Sequence, residues 1–255
     1  VNVANGQSER DALEIRYQAA LTDAKSRGVT VTIDLFEQAL AGSEAVICRY
    51  FGEVFRLSYS DDEICATFYQ RVESGMRIPG GDKWDRLRAI ADTNLFGERN
   101  KREVRFAALT LDGFGLENYG DCSLLLKTPM IAHRASVFVE NSVIFMRYHN
   151  VQAGNDYTVP LGYKAPWLSR GSLAVAKLAS KITATTTANE FRALLLKSGA
   201  DTEKDHFVEV HVWGPITIRS FQKISVRRWV TEPSITQVKC LEEKLAQFNI
   251  ALQKP

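Results

Sequence analysis

The 255-residue chain is 45% hydrophobic and 24% charged, the composition of an ordinary folded protein, and is long enough to bury a large apolar interior. Its 32 basic and 30 acidic side chains leave a formal charge of +2, which excludes a bulk electrostatic case for nucleic-acid binding and leaves only local basic patches. No run approaches the roughly 20 apolar residues of a membrane-spanning helix, and the opening Val-Asn-Val-Ala-Asn-Gly lacks a signal-peptide pattern. Cys48, Cys65, Cys122 and Cys240 stand without Cys-x-x-Cys spacing or a His at ligand distance. That argues against a zinc site and for reduced, packed thiols and a cytosolic site of action.

In chain order, Ser8 with Asp11 has the form of a capping box. Leu13, Tyr17, Ala20, Leu21 and Ala24 follow at helical spacing until Lys25, Arg27 and Gly28 supply stop signals. The β-branched run 29–33 predicts a short strand or extended connection, and Asp34 caps a helix through Ala41. Ser60-Asp-Asp-Glu opens a helix with Ile64, Phe68 and Val72 inward, closed by Gly75. Pro79-Gly-Gly-Asp is a turn, after which Trp84, Leu87, Ile90 and Ala91 mark another helical stripe. The first hundred residues are therefore expected to be mainly helical.

Arg99, Lys101, Arg102 and Arg105 crowd a charged stretch that is either a solvated loop or a patch for phosphates, and it is the expected boundary between regions 1–98 and 99–255. Beyond it, short strands are predicted over 104–111, 122–127 and 134–139, separated by Gly-rich turns. Residues 148–167, with prolines, glycines and little periodicity, read as a long loop. A small-residue helix follows Ser169-Arg-Gly-Ser172, and Thr187 with Glu190 caps another through Lys197. Ile235, Val238, Leu241, Leu245, Phe248 and Leu252 give an amphipathic C-terminal helix. The expected architecture is α+β: a helical N-terminal part and a split, mainly antiparallel sheet with helices packed on it.

Within that sheet the run from Asp205 to Ile218 is the most informative. Phe207, Glu209, His211 and Trp213 alternate with Val208, Val210 and Val212. A period of two places the valines on one face and a carboxylate, an imidazole and an indole on the other. Gly214-Pro215 ends the strand, and 221–226 is a second strand expected to pair with it as a hairpin. A carboxylate so placed is either a solvent-facing residue on a sheet with one wet side or a catalytic acid on a rigid platform.

Glu209-Val-His-Val-Trp-Gly-Pro-Ile-Thr-Ile with Phe221-Gln-Lys-Ile-Ser-Val resembles the last catalytic block of bacterial ADP-ribosyltransferase toxins and effectors. Tyr119-Gly-Asp-Cys-Ser-Leu-Leu-Leu-Lys, His133-Arg-Ala-Ser-Val-Phe and Glu140-Asn-Ser142 are similar to toxin-like proteins of the same superfamily. The likeness spans about residues 104–226 and departs from the family in two places: Phe207 stands where many members carry an acid, and no Ser-Thr-Ser block is present.

The resemblance implies the fold of that family for 99–255, NAD as substrate, a protein or nucleic-acid acceptor, and no membrane partner. It further implies a cytoplasmic site of action, reached in some members by delivery into a target cell, and a cognate antitoxin or immunity protein. Breaking the nicotinamide–ribose bond builds positive charge on the sugar, so such a site needs an anion there and a cation on the phosphates. Glu209 is the candidate anion, with His211 on its face orienting acceptor or ribose. Arg134, with Arg105 as its rival, is the candidate cation, because a guanidinium fork matches phosphate oxygens. Ser136 and Ser142 are candidates to order the strand beneath the nicotinamide, and Tyr119 to stack on the ring. An NAD glycohydrolase, with water as acceptor, and a non-enzymatic nucleic-acid or protein-binding module using Arg99–Arg105 remain the alternatives.

Overall fold

The structure, a computed structural model, describes residues 6–76, 78, 83–152 and 157–255. Its first part runs α1 (Gln7–Ser26), α2 (Thr30–Ala41), β1 (Glu44–Arg49), α3 (Phe51–Leu57), α4 (Phe68–Glu73) and α5 (Lys83–Phe96). Next come β2 (Val104–Thr110), β3 (Cys122–Leu126), α6 (Thr128–Ile131), β4 (Ala135–Phe138), α7 (Ser142–Tyr148) and β5 (Lys164–Pro166). The chain closes with α8 (Arg170–Leu178), α9 (Phe191–Leu195), β6 (Glu209–Trp213), β7 (Phe221–Val226), α10 (Ile235–Gln247) and β8 (Ala251–Gln253).

All strands belong to one mixed α/β assembly, an eight-stranded sheet in the order β5-β4-β6-β2-β1-β3-β7-β8. Neighbours are antiparallel except β7 and β8, which can run parallel because α10 carries the chain back between them. One face is aliphatic. Ile47, Leu109, Val210 and Val212 share a buried cluster with Ile33, Phe36 and Leu40 of α2 and Leu173, Val175 and Leu178 of α8. Each such side chain contributes about 1.5–3 kcal/mol by leaving water. Register places Val46, Ala108 and Glu209 on the opposite face. There Val46, Ala108, Leu116, Leu125 and Phe207 form a smaller cluster.

Several sequence expectations are corrected. The sheet is continuous rather than split, and the first hundred residues supply one of its central strands: β1 pairs with β2 and β3, so residue 98 does not divide the sheet. β6 and β7 are not a hairpin. Both edges of β6 are taken by β2 and β4, and the segment after Gly214 is tied to Cys65, whose N–H donates to the Ile216 carbonyl. The β-branched run at Val29 lies at the start of α2, because burial of Ile33, Phe36 and Leu40 at helical spacing outweighs local strand preference. Ser60 opens turns and no helix: Ile64 bridges to Thr217, and α4 starts only after Thr67, which makes a capping box with Gln70. α1 is preceded by Gly6 without a side-chain cap, so Ser8 does not cap it. α10 ends before Leu252, which lies in β8. The loop expected over 148–167 contains β5, and the Thr187–Glu190 box caps a short 3-10 turn leading into α9. The turn expected at 79–82 lies outside the described residues.

Candidate functional site

Glu209 opens β6 and is 2% exposed, as is His211; neither is a solvent-facing strand residue. Their common face follows from the two-residue period, and it brings the His211 Nε2–H to the Glu209 carboxylate at 2.7 Å. The second carboxylate oxygen accepts the backbone N–H of Ser142 at 3.2 Å. That N–H is available because Ser142 starts α7, whose next amides are satisfied by the Asn141 side chain. Burial alone raises the Glu209 carboxyl. The hydrogen bond and charge of His211, the Arg88 guanidinium and Ser142 outweigh it and hold the group below its ordinary value, as a carboxylate. Phe96 stands edge-on to the imidazole at 4.8 Å, with Phe106 and Phe138 completing an aromatic sleeve.

Glu209 and His211 open onto different cavities. The first, about 410 Å³ including its open mouth, is bounded by Glu209, Arg49, Arg88, Tyr119, Cys48 and Phe207. A second of about 510 Å³ is bounded by His211, Ser136, Trp213, Phe96, Asn100 and Lys164. Tyr119 borders the same cavity as Glu209. Its loop lies directly on β1: a side chain at Gly120, whose φ is +142°, would meet the Arg49 backbone at 2.3 Å. Asn141 donates to the Tyr119 hydroxyl at 3.3 Å, and burial raises the phenol above its ordinary range, keeping it neutral. Ser136 lies opposite His211 in register and faces the second cavity. Ser142 is buried and meets Glu209 through its backbone, while its hydroxyl has no hydrogen-bond partner.

Both expected cations are corrected. Arg134 donates to the carbonyls of Met130, Trp213 and Pro215. Arg105, 2% exposed, donates to the carbonyls of Cys65, Glu103 and Gly214 and to Gln70 Oε1. Neither borders the Glu209 cavity. Arg170 is likewise taken up by Ser43, Trp167 and Ala41. Guanidiniums with several carbonyl partners lock connections in place and have few donors left for a ligand. The cations that do border the cavity are Arg49, at the end of β1, and Arg88, on α5. Two signals pointed to them: a buried Ala-Val-Ile-Cys run ending in Arg49, and the i,i+4 spacing of Arg88 and Asp92 on one helix face.

Of the four cations in the stretch 99–105, Arg99 is exposed and the other three are engaged. Lys101 is buried against Glu98 at 2.7 Å, Arg102 pairs with Glu73, and Arg105 is structural. Among the described residues no cluster of His, Cys, Asp or Glu could hold a metal ion, and no helix is long and apolar enough to cross a membrane. No protein-family model matches the chain, and no curated protein matches it.

Proposed function

We propose that the protein is a mono-ADP-ribosyltransferase of the bacterial toxin and effector type, moving ADP-ribose from NAD to a protein or nucleic-acid acceptor, and that its sheet is a form of that family's fold. One observation carries this: a buried carboxylate, favoured as the anion, stands in the wall of a cavity whose other charged walls are two guanidiniums. As the nicotinamide–ribose bond breaks, its electron pair leaves with the nicotinamide and the ribose ring takes on positive charge. Glu209, prepared as an anion and excluded from water, stabilises that charge without reorganising. His211 fixes the carboxylate rotamer through its 2.7 Å bond. Arg49 and Arg88 face the phosphates, and Tyr119 offers a neutral ring to the nicotinamide.

Incubating the purified chain with NAD labelled in the adenylate half and a whole-cell lysate, then inspecting protein and nucleic acid separately, tests the proposal. Label on either macromolecule is the expected result. Release of free ADP-ribose with no acceptor labelled would make the protein an NAD glycohydrolase instead. Intact NAD after prolonged incubation with every acceptor pool rejects both activities and leaves a binding module.

A further inference from the structure

The second cavity, about 510 Å³ with its mouth, lies where the end of α5 meets strands β4, β5 and β6. Leu95 and Phe96 come from the helix, and Ser136, Lys164, His211 and Trp213 from the strands. Its place follows from the pleat: register sets Ser136 opposite His211, and Phe138 opposite both Glu209 and Lys164, so these side chains stand on one face. Lys164 is thereby the diagonal neighbour of Ser136 across β4 and β5, within reach of a long side chain. Phe96 stands edge-on to His211 at 4.8 Å and to Trp213 at 5.6 Å. The three rings and Leu95 make one side of the cavity apolar and aromatic.

The polar groups on the other side are donors. Among the described residues that border the cavity there is no Asp or Glu, and Lys164 brings a positive charge. Glu9 of α1 meets the Lys164 ammonium at 3.3 Å, while its second oxygen accepts the Gly162 N–H at 2.8 Å. That contact uses one of three ammonium donors and leaves two. Ser136 is 5% exposed, yet no described residue hydrogen-bonds its hydroxyl, and the oxygen is not sealed from solvent. Glu209 borders the other cavity, where His211, Arg88 and Ser142 answer its charge. The volume falls within the range of small-molecule sites, about 300–1,000 Å³. Aromatic walls facing an ammonium and an unpaired hydroxyl, with no acid between, suit a ligand with a planar apolar body and one anionic head.

We infer that the cavity beside His211 is a binding site for a small aromatic carboxylate, its ring against Phe96 and Trp213 and its carboxylate on Lys164 and Ser136. The site stands whether or not the chain cleaves NAD, because none of these four residues borders the Glu209 cavity.

Equilibrium dialysis of the full chain against labelled benzoate and, separately, labelled benzamide tests it. Wild-type protein is expected to bind benzoate about tenfold or more tightly than benzamide, which keeps the ring and lacks the charge. Lys164→Met should weaken benzoate binding about tenfold and abolish that preference, and Ser136→Ala should weaken it severalfold. Lys127→Met, which removes a lysine bordering neither cavity, leaves both affinities unchanged. If Lys164→Met does not fold, Ser136→Ala decides. Benzoate affinity unchanged in a folded Lys164 or Ser136 variant overturns the inference, as does benzamide bound as tightly as benzoate, or wild-type protein that binds neither.

Discussion

The two faces of β6 are built from the same five residues and follow different rules. Val210 and Val212 are completely buried and belong to the large aliphatic cluster; any apolar side chain of the right volume would serve there. Glu209 and His211 are almost as buried, at 2% exposure, yet each atom on that side needs a particular partner: Ser142 N–H, the imidazole, the aromatic sleeve, Arg88. Burial on the first face stabilises the fold. On the second it raises the electrostatic value of a charge.

The largest test of that difference is Glu209→Gln. On the proposed function, turnover of NAD per folded molecule is expected to fall on the order of a hundredfold or more, the scale of losing one electrostatic stabiliser. Because the carboxylate accepts from both His211 and Ser142, the amide must turn its NH2 toward one of two donors, at a stability loss of about 1–3 kcal/mol. Turnover should therefore be measured well below the melting temperature and normalised to folded protein. A variant that folds and consumes NAD at the wild-type rate removes Glu209 from the mechanism.

Arg105→Met asks the converse question of a cation. Four acceptors lose their donor, so stability should drop by about 3 kcal/mol, with NAD affinity and turnover per folded molecule unchanged. A lower turnover at unchanged stability would return Arg105 to the site. Val210→Ala makes the same contrast on the aliphatic face: about 2 kcal/mol of stability is expected to go with the lost methyl groups and the cavity they leave. The Glu209 chemistry should be intact. Equilibrium denaturation alongside NAD turnover separates the two effects, and a variant with full stability but poor turnover would show that the faces are coupled.

Much of the contrast was legible in the sequence, because alternation alone places valines opposite Glu209 and His211. The four strands β2, β3, β4 and β7 and the C-terminal helix were legible for the same reason, period and length. What failed was everything that depends on distant partners. The β1 run, Glu44–Arg49, is buried on both sides by strands and helices far away in sequence, and nothing local marks it as central. Arg134 precedes β4 and Arg105 lies within β2, but a guanidinium fork fits backbone carbonyls as well as phosphates, and only the turn of the chain at Gly214 brings the carbonyls of Gly214 and Pro215 within reach. Arg88 lies on a helix whose attachment to the Glu209 face is set by Phe96 against His211, a contact across more than a hundred residues of chain. The resemblance to toxins covered the strand that carries the acid and left out both cations that border its cavity.

The smallest expected effect concerns Lys177. It belongs to α8, whose Leu173, Val175 and Leu178 join the aliphatic core, and its ammonium reaches the Phe207 carbonyl at 2.7 Å, where the chain enters β6. Burial lowers its pKa to about 7, against the opposing charges of Glu140 and Glu209. The folded value lies below the unfolded one of about 10.4. Between these values the unfolded chain holds a proton that the fold has released, so stability from this group rises with pH across about 7 to 10; below about 7 both states are protonated and the slope vanishes. Lys177→Met keeps the stem and removes the titration. Melting temperatures recorded from pH 7 to 10 should therefore rise in wild type relative to the variant, by a few degrees at most, since the group is partly open to water. Parallel curves for the two proteins would mean that Lys177 stays charged in the fold and that its bond to Phe207, rather than its desolvation, governs the end of the strand.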